Sequence, residues 1–150
     1  MVRNKDKVAN PKEEAEALVY DILPLAKKML AEEGEFHPYG GFIRATGEIV
    51  HIAASDAGTD CPRAADLIDF MKRDFKKRAM ANEIVAAAIV FDVRVSPPGE
   101  IEKSDAIQVN VEHSGSYCAE VFFPYWGSRD GELSFGNPFA QAGTRSLFVR

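Results

Sequence analysis

After a short charged stretch, Ala15, Leu18, Val19, Ile22, Ala26, Met29 and Leu30 recur at spacings of three and four. That spacing puts them on one stripe of an α-helix, which must lie against another layer. Asn10-Pro11-Lys12-Glu13 carries the start signals: a capping asparagine, a proline whose missing N–H costs nothing in the first turn, and an acid at the third helical position. Gly34 marks the end, as a residue that accepts a left-handed conformation. Pro24 falls inside the pattern and removes one backbone hydrogen bond, at about 3 kcal/mol if unrelieved, so a kink or break is expected near Tyr20 to Ile22.

From Gly41 to Ala53 the pattern changes to two short alternating runs that turn at Thr46-Gly47, which predicts a hairpin. A polar loop from Asp56 to Asp60 and then Pro62 introduce a second helix, with Ala64, Leu67, Ile68, Met71, Phe75 and Ala79 on its apolar side and an end near Ala81. Ile84 to Val95 begins as a continuous apolar run and ends as an alternating one, the pattern of a strand covered on both faces at its start and more exposed at its end. Ser96-Pro97-Pro98-Gly99 breaks it. Two further strands, Ala106 to His113 and Tyr117 to Tyr125, meet at Ser114-Gly115-Ser116. Their alternation assigns Ile107, Val109, Val111, Ala119, Val121 and Phe123 to one face. Gln108, Asn110, Glu112, Cys118, Glu120 and Phe122 go to the other, where Asp92 and Arg94 are expected to join them.

The order α-β-β-α-β-β-β predicts an α+β domain over residues 11–126, a five-stranded antiparallel sheet packed with two helices. Residues 1–10 read as a flexible arm. Residues 127–150 hold glycines and isolated aromatics without a period, and read as a loop-like tail that Leu133, Phe135 and Phe139 anchor to the domain or to a neighbouring subunit.

Composition narrows the function classes. A chain of 150 residues that is 46% hydrophobic and 27% charged has the makeup of an ordinary folded domain. Its longest apolar run, Ile84 to Phe91, falls far short of the about 20 residues that span a bilayer, and no export signal precedes the first helix, so no membrane partner and a cytoplasmic location are expected. With 23 acidic against 18 basic residues the net charge of −5 opposes nucleic-acid binding. The basic cluster Lys72, Arg73, Lys76, Lys77 and Arg78 alternates with Asp69 and Asp74, as on a solvated helix face. Cys61 and Cys118 form no Cys-x-x-Cys pair and read as reduced thiols.

Candidate chemistry is sparse. His37, His51 and His113 lie in different elements without a second ligand at helical or strand spacing, so neither a metal nor another cofactor is expected. Asp56 and Asp60 flank Gly58 without the further oxygen ligands that a calcium loop needs. Ser114 and Ser116 lack a nucleophile-elbow context. The segment from Gly34 to Gly41 places His37 and Tyr39 on the approach to the first strand and offers polar handles for a ligand. Cys61, at the start of the second helix, would have its thiolate favoured by the helix dipole, with His37 or His113 as a base. Phe122, Tyr125 and Trp126 offer an aromatic contact surface, unless the tail folds back over Phe122.

The string Gly34-Glu35-Phe36-His37-Pro38-Tyr39-Gly40, followed by Gly47-Glu48-Ile49, resembles a group of small uncharacterised bacterial proteins. That resemblance covers about a sixth of the chain, implies a bacterial cytosolic protein and carries no activity with it. The element order is similar to the profilin-like and roadblock-like architecture, which implies a five-stranded sheet flanked by helices and a tendency to form dimers.

The functional expectation is a non-enzymatic binding or interaction protein whose partner is itself, as a homodimer, or another protein. Its acidic charge would suit an immunity-type protein that neutralises a basic toxin. The alternative is a small enzyme or small-molecule sensor with a pocket near the Gly34 to Gly41 loop.

Overall fold

A computed structural model describes residues 10–53, 63–127 and 132–148. The first helix, α1 (Pro11–Glu33), starts as its sequence dictates: the Asn10 side chain accepts the Glu13 N–H at 2.8 Å, a cap worth about 1 kcal/mol, and Gly34 closes the helix at φ 78°. Two strands follow, β1 (Tyr39–Arg44) and β2 (Ile49–Ala53), with Gly47 at φ 96° in the turn between them. Helix α2 (Ala64–Met80) leads into β3 (Ile84–Val95), β4 (Ser104–His113) and β5 (Tyr117–Gly127). Two short strands complete the order, β6 (Leu133–Phe135) and β7 (Phe139–Ala142).

The result is an α+β fold with one antiparallel sheet in the order β2-β1-β3-β4-β5-β6, and β7 also pairs with β5. The sheet has seven strands where the periodicity predicts five. The two additional strands come from the stretch read as a loop-like tail, and both pair with the free edge of β5, at Tyr125–Gly127 and at Ala119–Phe122.

The helices lie on opposite faces. Tyr39, Ile43, Ala86, Ala88, Val90, Ile107, Val109 and Val111 meet the stripe of α1, while Phe42, Ala87 and Ile89 meet Met71 and Phe75 of α2. Glycines in β1 let both helices approach. A Cβ on Gly40 would stand 2.6 Å from the Ala88 carbonyl oxygen and 3.1 Å from the Phe75 ring, and one on Gly41 would stand 3.1 Å from the Ile22 side chain. Strand β3 is buried on both faces at its start and half-exposed towards its end, as its pattern predicts.

Two expectations are corrected. Helix α1 runs unbroken through Pro24. The Tyr39 hydroxyl accepts the Ala26 N–H at 3.0 Å and donates to the Ile22 carbonyl, so a phenol bridges two helix groups beside the proline that an uninterrupted ladder would pair with each other. Asp92 and Arg94 do not share the face of Gln108: Asp92 sits opposite Ile107 and Arg94 opposite Asp105, which puts both on the α1 side. The start signals expected for α2 at Asp60 and Pro62 lie outside the described residues, as do Asp56 and Cys61.

Candidate functional site

The five residues expected to bind are placed in three different settings. His37 is exposed on the connection into β1. Tyr39, two residues on, is buried with its hydroxyl engaged by α1, and burial pushes its pKa up to about 12 although the Ala26 N–H works the other way. Phe122 and Tyr125 are buried, and Trp126 is 46% exposed.

The tail accounts for Phe122. Pairing of β7 with β5 sets Phe139 opposite Phe122, and the rings stack at 4.9 Å with 12° between their planes. Tyr125 faces the other way and donates to Asp92 at 2.8 Å. Burial raises both groups' pKa values; the hydrogen bond opposes the rise at Asp92 and adds to it at Tyr125. Trp126 stands on the α2 side against Gly136, where a Cβ would come within 2.8 Å of the indole. Opposite Tyr125 across the β5–β6 pair, Phe135 is 38% exposed and carries the Lys27 amine 4.5 Å above its ring. Trp126 and Phe135 therefore crown the same end of the sheet from its two faces.

The two tail strands at that end carry no charged side chain. From Leu133 to Ala142 the chain reads Leu-Ser-Phe-Gly-Asn-Pro-Phe-Ala-Gln-Ala, and on β5 the Glu120 carboxylate is occupied by the Gln141 amide at 2.6 Å. In a chain in which 27% of residues are charged, a stretch of this kind next to two exposed aromatics has the composition of an interface centre, where aromatics are enriched and charges depleted.

The histidines stay in separate places. His51 meets the Asp21 carboxylate of α1 at 2.6 Å. His113 accepts the Gly115 N–H on Nδ1 at 2.8 Å, which leaves Nε2 to donate to Glu14 at 3.2 Å, so it ties the β4–β5 turn to the start of α1. Among the described residues no three His, Cys, Asp or Glu side chains gather as metal ligands would, and no helix is long and apolar enough to cross a membrane. The proposed pairing of Cys61 with His37 or His113 falls outside the described residues.

Sequence reasoning puts Glu112 on the polar face of its strand but misses its partners. Its carboxylate is buried on the α2 side and accepts the backbone N–H groups of Ser146 at 2.9 Å, Leu147 at 3.1 Å and Phe148 at 2.6 Å. This clamp docks Leu147 beside Met71 and Phe75 in the α2 core. Beside it, Cys118, Asn110, Glu120 and Lys72 line a polar cleft of about 300 Å³, and burial raises the Cys118 thiol's pKa, which disfavours the reactive thiolate.

A second cleft, of about 260 Å³, lies on the α1 side between that helix and the tail strands, and Tyr20 of α1 and Tyr117 of β5 are among the residues that line it. No protein-family model matches the chain, and neither a curated protein nor a solved structure matches it.

Proposed function

We propose that this is a non-enzymatic binding protein that works as a homodimer, with the β5–β6 end of the sheet as its self-contact. The observation that carries the reading is exposed Trp126 beside ten successive uncharged residues that include exposed Phe135. Two copies that each carry a net charge of −5 repel one another, and the uncharged tail strands are where they meet at the least electrostatic cost. Exposed tryptophan at the centre of such a patch is the residue type that most often anchors an interface. Strand β6 adds an outer edge whose backbone groups have no strand partner among the described residues, suited to pairing with its own copy.

Sedimentation of the full chain tests this. The native protein is expected to sediment with twice the chain mass at micromolar concentration. Trp126→Ala, whose side chain is half-exposed and outside the core clusters, is expected to sediment as a single chain with an unchanged circular dichroism spectrum. A native protein that stays monomeric at high concentration, or a variant that remains dimeric, would sink the proposal.

A further inference from the structure

We propose that the cleft between α1 and the tail strands binds a small organic cation, its ammonium group held by the Glu16 carboxylate and by the Tyr20 and Tyr117 rings that line the cleft with it. The inference does not depend on dimer formation, because the cleft is complete within one chain. Glu16 and Tyr20 are one helical turn apart on α1, so both side chains project from the same face of the helix. Tyr117 comes from the start of β5, and Val19, Val111, Val121 and Pro138 to Ala140 also line the cleft.

Three features select the class of ligand. The first is ring chemistry: aromatic side chains around a lone acid offer negative π-faces to a positive charge, an arrangement that recognises ammonium groups. Tyr20 is held for this by its edge-on contact with Phe123 at 6.0 Å, yet remains 58% exposed. The second is charge. The Lys12 amine lies 3.9 Å from Glu16, on an exposed side chain that a bound cation can replace. Burial and the Glu16 charge raise the Tyr117 pKa, which keeps the phenol neutral and places Glu16 within electrostatic reach of it. The third is size: about 260 Å³ lies just below the usual range for small-ligand pockets and suits a compact ammonium compound.

Choline and its neutral isostere, in which a quaternary carbon replaces the nitrogen, separate charge from shape. Both are titrated into the methyl-labelled full chain and followed by NMR at the methyl groups of Val19, Val111 and Val121. Choline is expected to shift these resonances saturably and to bind about threefold tighter than the isostere, the factor that corresponds to a half-exposed cation–π contact. Glu16→Gln, a change at an exposed helix position, is expected to remove most of that preference. Tyr117→Phe retains the ring and is expected to retain binding, whereas Tyr117→Leu is expected to lose it. Equal affinity for the two probes, saturable shifts confined to other parts of the chain, or no saturable shift with choline would overturn the proposal.

Discussion

Replacing Tyr39 with phenylalanine keeps the buried ring and removes one oxygen, which in this fold bridges the Ile22 carbonyl and the Ala26 N–H of α1. Both groups lie in the buried stripe of the helix, where water cannot take the hydroxyl's place. An orphaned buried group costs about 1–3 kcal/mol, so Tyr39→Phe is expected to destabilise the protein by about 2–4 kcal/mol. For a chain of this length, that lowers the melting temperature by roughly 5–15 °C. The cause assigned here is Pro24, whose ring crowds the carbonyl of Tyr20 and holds the ladder open. Pro24→Ala restores the missing N–H and lets Ile22 and Ala26 pair directly, so in that background Tyr39→Phe is expected to cost less than about 1 kcal/mol. Urea titrations of the wild type, both single variants and the double variant, followed by circular dichroism, give the coupling energy. A cost below about 0.5 kcal/mol for Tyr39→Phe, or the same cost with and without Pro24, would refute the bridge.

Other outcomes follow from the same geometry. Gly40→Ala forces a Cβ to 2.6 Å from the Ala88 carbonyl oxygen and is expected to cost about 1–3 kcal/mol or more, whereas Gly34→Ala meets open space and costs only the strain of its left-handed backbone, about 1 kcal/mol; denaturant midpoints should rank the two in that order. Glu112→Gln replaces one acceptor oxygen with a donor facing N–H groups and is expected to lose about 2–3 kcal/mol and to speed hydrogen exchange at Leu147 at least tenfold; unchanged exchange there would exclude the clamp. Because Tyr39 ionises near 10 when unfolded and at about 12 when folded, the folded state holds its proton longer. Its contribution to stability is full below pH 10 and is lost as the pH rises through about 12, and Tyr39→Phe should flatten that part of the stability profile.

What could be read in the sequence was local. The Asn10 cap, the Gly34 stop, the Thr46-Gly47 turn and the burial gradient along β3 each follow from a few neighbouring residues, and each appears in the fold. Strands β6 and β7 could not be read because three and four residues are too few to display a period, and they exist through pairing with β5. Alternation within β3 and β4 fixes which residues share a face of each strand, but the register that sets Asp92 opposite Ile107 is a property of the pair. Glu112 reads as a solvent-facing acid because its donors lie 34 to 36 residues further along the chain. Tyr39 drew attention as a ligand handle, but its partners are the backbone groups freed near Pro24, and no pattern around Tyr39 announces them. Trp126 was visible in advance as an aromatic at the end of a strand; the uncharged surface beside it acquires meaning only once β6 and β7 are in place.

Trp126 is the chain's single tryptophan, so its fluorescence reports directly on the end of the sheet that we assign to self-association. On dilution from about 100 μM to nanomolar concentration, its emission is expected to move to longer wavelength and its quenching by acrylamide to increase as the indole passes from a shared surface into water, as for a protein–protein contact in the micromolar range. An emission maximum that stays fixed at the wavelength of a solvent-exposed indole over that whole range would contradict the homodimer.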